Sequence, residues 1–132
     1  LKNYFQPSLS GGDINNISSL GLAHIGDAVF ELLVRTHLCQ SGGETATNMH
    51  KACVKMVNAK AQAGYADKLM SRLSAEELDV FKRGRNAKVN SVPKNAEVAC
   101  YHAATGLEAL FGYLYLNNRT ERINELFEII VM

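Results

Sequence analysis

No stretch of the 132-residue chain reaches the roughly 18 consecutive apolar residues of a membrane span, and no charged-then-apolar segment opens it. Both absences point to a soluble, intracellular protein. Cysteine is scarce: Cys39, Cys53 and Cys100 are an odd number, and none stands in a CxxC pair. That argues against a disulfide framework or a zinc site and fits a reducing compartment. Charge imbalance is also missing, since the formal net charge is +1. Any case for nucleic-acid binding must therefore come from local clustering. There is no credible strand pair, internal repeat, nucleotide-binding glycine loop or Ser-His-Asp set. The first residue is Leu1, which leaves room for a trimmed or processed N-terminus.

What remains is helical patterning in a chain of single-domain length with 47% hydrophobic residues. Residues 1–18, with Pro7, Gly11 and Gly12 among polar neighbours, read as an arm or loop ahead of a domain over 19–132. Ser18 or Ser19 caps a first long helix, whose stripe is Leu22, Ile25, Val29, Leu32, Leu33 and Thr36, and Gly42-Gly43 stops it. Helical spacing resumes from Thr47 to Arg72, with a break near Val57-Asn58. Ser74-Ala-Glu-Glu77 has the form of a capping box and opens a helix ending near Gly84. Pro93 helps make Arg85 to Asn95 a loop. Glu97 to Leu116 is a second long apolar helix, and Thr120 caps a last one with Ile123, Leu126, Phe127 and Ile130 inward. The expected class is all-α, with five to seven helices.

Two acids stand out. Asp27 follows Gly26 in the middle of the first long helix, where glycine costs about 1 kcal/mol relative to alanine. One reading is a solvated acid on an outer face. The other follows from Phe30, Val34 and Leu38 on the same side, which make the helix apolar nearly all round and therefore buried. No lysine or arginine lies one turn from Asp27, whereas Glu31 can pair forward with Arg35. Glu108 repeats the pattern on the flank of Leu107, Leu110, Phe111 and Leu114, with Gly106 and Gly112 thinning its helix. Each acid can accept backbone or tyrosine hydrogen bonds, or the two can converge on one divalent ion. Hard oxygen ligands of this kind suit Mg²⁺ or Mn²⁺.

Between Lys82 and Lys94 stand Lys82, Arg83, Arg85, Lys88 and Lys94 with no acid among them, leaving the rest of the chain net acidic. A solvated surface loop accounts for such a run. Its irregularity, its Asn86, Asn90 and Asn95, and its lead into the helix of Glu108 favour a second account, in which cations grip phosphate beside metal-holding carboxylates. Those are the parts of a phosphodiester hydrolase.

HIGDAVFELLV resembles the signature of the ribonuclease III family, and TGLEALFGYLYL resembles its second acidic motif. RGRNAK, VPKN and GLEALFGYLYL together resemble the short form of that family, Mini-ribonuclease III, which lacks a double-stranded-RNA-binding domain. The likeness covers roughly Leu20 to Leu116. It implies a ribonuclease III catalytic-domain-like helical bundle, working as a symmetric homodimer with one Mg²⁺-dependent centre per subunit. Such an enzyme cuts both strands of duplex RNA and leaves 5′-phosphates, 3′-hydroxyls and short 3′ overhangs.

By motif position Asp27 matches the catalytic aspartate and Glu108 the catalytic glutamate, and both become the expected metal ligands. The chain ends at Met132, too soon for an appended RNA-binding domain, so Arg83, Arg85, Asn86, Lys88 and Lys94 are expected to position the duplex. The short family is associated with large-subunit ribosomal RNA maturation. A cytoplasmic enzyme and one in an organelle such as a plastid read alike. Two further family carboxylates are replaced here by Ala23 and Thr105, which leaves the number of metals open. His24, one turn before Asp27, can touch metal or phosphate or can simply be hydrogen-bonded. The alternative function is a ribonuclease-III-like scaffold without catalysis.

Overall fold

The computed structural model describes residues 1–42, 45–89, 91–92 and 97–132. Among them the chain forms seven α-helices and one 3-10 turn, with no strand. Within the segment read as an arm, Gly11–Asn15 form a short helix, α1. The Ser10 hydroxyl caps it, accepting from the Asp13 N–H at 3.0 Å, and Ile14 is buried. Helix α2 spans Ser19–Gln40 and is capped by Ser18. Helices α3, Ala46–Val57, and α4, Ala59–Leu69, meet at Asn58. That one side chain serves both ends: Oδ1 accepts from the Ala61 N–H at 2.8 Å, and Nδ2 donates to the Val54 and Lys55 carbonyls, each at 3.1 Å. The expected break near Val57-Asn58 is thus a double cap.

A 3-10 turn, Met70–Arg72, leads into α5, Ala75–Arg85, which opens on the Ser74–Glu77 capping box. Glu77 is buried, and its other partner is Arg122 of α7, Thr120–Val131, through two contacts of 2.9 Å. Arg122 also donates to the Arg72 carbonyl at 2.7 Å, so one guanidinium joins three segments. Thr120 does not cap α7. It is the first helical residue, and Arg119 precedes it without a side-chain cap. The turn is made instead by Asn118 at φ 59°, with the Arg119 N–H on the Leu114 carbonyl and the Asn118 N–H on the Tyr115 carbonyl, the Schellman pattern.

Helix α6, Val98–Leu116, is the axis of the bundle. Helices α2, α4, α5 and α7 all pack on it, because it is apolar on nearly every side. Phe30, Val34, Leu69, Leu107, Leu110, Phe111, Leu114 and Leu126 are almost completely buried, and Phe30 meets Phe111 edge-on at 5.5 Å. Along α2 the buried positions are Leu22, Ala23, Gly26, Phe30 and Val34. This differs from the expected stripe, of which only Leu22 is buried, while Leu32 is 53% exposed. The reason is steric: a helix apolar nearly all round offers little contrast to orient it, and α6 selects the face with Gly26, where the two backbones approach most closely.

Candidate active site

Helices α2 and α6 touch backbone to backbone. A Cβ on Gly26 would overlap the Glu108 carbonyl oxygen and stand 2.7 Å from the Gly112 N. One on Gly112 would in turn overlap the Leu22 carbonyl oxygen and stand 2.9 Å from Ile25 Cγ2. Neither helix can carry a side chain at this crossing. The glycine in the middle of α2 is therefore a packing requirement.

The crossing brings the two sequence-predicted acids together. Asp27 follows Gly26 on α2, and Glu108 is the α6 residue whose own backbone Gly26 touches. Their carboxyl groups lie close enough to favour a proton on Glu108. Glu108, half-buried against α2 and α4, is pushed up to about 8, chiefly by desolvation and then by the Asp27 carboxylate beside it. The Gln62 amide of α4 opposes this by donating toward the charged form. Asp27 is exposed, against the expectation of burial. It stands at the edge of the α2 contact, where it meets solvent on one side and Glu108 on the other.

Among the described residues no lysine or arginine pairs with either acid. Glu31 is engaged elsewhere, in an exposed bridge to Arg35 at 3.4 Å. His24 is exposed on α2. The Thr105 hydroxyl is turned to the Tyr101 carbonyl at 3.0 Å, and Ala23 is buried at the crossing. No group of three or more His, Cys, Asp and Glu side chains converges among the described residues. A divalent cation suits the Asp27–Glu108 pair on chemical grounds: two hard carboxylate donors lie together, Glu108 partly desolvated, with no described lysine or arginine paired to either.

The expected phosphate-binding residues occupy the end of α5 and the segment after it. This end is anchored on the helix that carries Glu108, because a Cβ on Gly84 would meet Ala109 Cβ at 2.7 Å and Gly106 Cα at 3.0 Å. Arg83 is exposed but already paired with Asp79 at 2.9 Å. Arg85 lies over the Phe81 ring at 5.8 Å and donates to Asn86 Oδ1 at 3.2 Å. Lys88 is exposed. Lys94, Asn90 and Asn95 lie outside the described residues.

Sequence reasoning passed over Gln62. Its alternation with alanine in NAKAQA carries no signal of burial, and only the packing of α4 on α6 brings it to Glu108.

A family model described as Ribonuclease III domain matches residues 20–119. The chain belongs to the ribonuclease III family. It is 47% identical over 116 residues to the Mini-ribonuclease 3 of Brevibacillus brevis, covering 88% of this chain and 87% of that protein. The Mini-ribonuclease 3 of Thermoanaerobacter sp. is 46% identical over 116 residues, covering 88% and 82%. That of Clostridium tetani is 41% identical over 120 residues, covering 90% and 80%. A crystal structure of a Fusobacterium nucleatum protein superimposes with a TM-score of 0.82 at 33% identity, covering 89% of this chain and 96% of that one. As a member of the ribonuclease III family the protein is an endoribonuclease of double-stranded RNA, from a family that uses divalent metal. No helix among the described residues is long and apolar enough to cross a membrane.

Proposed function

We propose that this chain hydrolyses phosphodiester bonds of duplex RNA at a centre formed by Asp27 and Glu108 around Mg²⁺, with Mn²⁺ as a substitute. The observation that carries the reading is the Gly26–Gly112 crossing, which brings two carboxyl groups together with no described lysine or arginine paired to either. A divalent cation supplies there the positive charge that activates water and offsets the charge gathering on the scissile phosphate. Asp27 and Glu108 would hold and orient it, Glu108 as the ionised carboxylate. Lys88, Arg85 and Arg83 hold the RNA backbone beside the site, with Asn86 and Lys94 in the same segment. Reading is by shape, 2′-hydroxyls and phosphate, as is general for duplex RNA.

The substrate in the cell is a ribosomal RNA precursor, the enzyme is a homodimer, and it works in the cytoplasm. Pairing is supported by Leu32, apolar and 53% exposed on the long helix that carries Asp27. Sedimentation at micromolar concentration is expected to give twice the monomer mass. Asp27→Asn and Glu108→Gln, which scarcely change volume, are each expected to abolish cleavage of a perfect RNA duplex while keeping the fold and most duplex binding. Full activity in both would overturn the assignment.

A further inference from the structure

Three polar or charged side chains are buried among the described residues: Gln62, Glu77 and Thr105. Glu77 is satisfied by Arg122 and by the Ser74 N–H, and Thr105 by the Tyr101 carbonyl. Gln62 is different. It sits in the first turn of α4 and is 3% exposed. Its Nε2 donates to the Val57 carbonyl at 2.7 Å, one of the carbonyls left free where α3 ends. The same amide group lies close enough to Glu108 to favour its ionised form. Its Oε1 is buried and has no donor.

An amide oxygen held away from water without a donor is a net loss that leucine or methionine of similar volume would avoid. With metal bound, the donor has to be something outside the described side chains. Both acids are then ionised and can only accept, and the Ala61 and Gln62 N–H groups are used by Asn58. A water at the carboxylate pair is the donor that fits.

We propose that Gln62 is a positioning residue of the metal centre. Nε2, pinned on Val57, fixes the orientation of the Glu108 carboxylate, and Oε1 accepts a hydrogen bond from a water held at the Asp27–Glu108 site. The proposal rests on the reading of those two acids as metal ligands. It gives the buried amide a role that hydrophobic packing alone leaves unexplained, and it adds an outer layer to the two carboxylates of the site. Outer residues of this kind commonly change metal affinity by about 10- to 100-fold.

The test compares Mn²⁺ binding to the 132-residue chain, read from the paramagnetic signal of free Mn²⁺, in wild type, Asp27→Asn, Gln62→Leu and Gln62→Met, alongside thermal melts and cleavage kinetics. Expected is an Mn²⁺ affinity lower by about tenfold or more in both Gln62 variants. Their melting temperature should be equal or higher, because the unpaired oxygen is gone, and cleavage should fall in kcat with KM little changed. Wild-type Mn²⁺ affinity and kcat in a folded Gln62 variant, with binding lost in Asp27→Asn, would overturn the Gln62 role alone. So would a lowered melting temperature with unchanged Mn²⁺ affinity. Binding that is absent from the wild type, or unaffected by Asp27→Asn, would overturn the metal-ligand reading itself.

Discussion

Gly26 of α2 lies with its bare Cα against the backbone of Glu108 in α6, so close that an added Cβ would overlap the Glu108 carbonyl oxygen. The contact fixes the spacing of two helices and, through it, the meeting of Asp27 with Glu108.

Gly26→Ala should therefore destabilise the protein, although alanine is the better helix former. The gain of about 1 kcal/mol in propensity is outweighed by overpacking against rigid backbone, which typically costs about 1–3 kcal/mol and more where neither side can yield. Activity should fall with it as the acids separate. Gly64→Ala is the control: it lies inside α4, and an added Cβ there meets nothing within 4 Å. That variant should gain roughly 0.5–1 kcal/mol. Denaturant unfolding of both decides the matter, and equal effects would refute the crossing.

Glu108 makes stability depend on pH in the metal-free protein. Its folded value is raised from 4.5 to about 8, so the folded state holds a proton that the unfolded chain releases. The contribution is complete below about pH 4.5 and is lost as pH rises through 8. Between pH 5 and 9 the melting temperature of wild type without divalent metal should decline. Glu108→Gln should flatten that decline and melt higher at pH 8. An identical profile in both proteins would show that Glu108 is not the group responsible.

Glu76 and Glu77 act in the opposite sense. The Tyr113 hydroxyl and Arg119 hold Glu76 below its usual range, and Arg122 does the same for Glu77, so their contribution is lost as pH falls below about 4.5. Arg122→Met leaves Glu77 buried without its partner. Because Arg122 is itself 28% exposed, the cost should lie at or under the roughly 3–5 kcal/mol of a fully buried pair. Restoring much of that stability in Arg122→Met/Glu77→Gln, measured as a double-mutant cycle, is the expected result.

Within the basic segment, Lys88→Ala should weaken duplex binding more than Arg83→Ala, since Arg83 is already neutralised by Asp79 at 2.9 Å. Neutralising Arg83, Arg85 and Lys88 together should weaken binding to all sequences and flatten its salt dependence, because phosphate contacts act through counterion release. Affinity measured over a salt series checks both. An unchanged slope would make the segment a solvated surface.

Much of this molecule was already legible in the sequence. The Ser74 capping box, a serine cap at 18 or 19, the break near Val57-Asn58 and the two long apolar helices are local events, decided by hydrogen bonds between near neighbours, and they need no tertiary partner to be read. The two acids were visible for a related reason: each lacks a cation one turn away, and each has glycine close by. Tertiary structure alone decided what depends on distant segments. Periodicity could not orient α2, because both its faces are apolar, and contact with Glu108 and Gly112 turned Gly26, Phe30 and Val34 inward while leaving Leu32 in solvent. The same contact left Asp27 exposed at the edge of the pair. Gln62 shows the limit most clearly, since its burial is set by α4 packing on α6, from residues some 40 or more positions further along the chain.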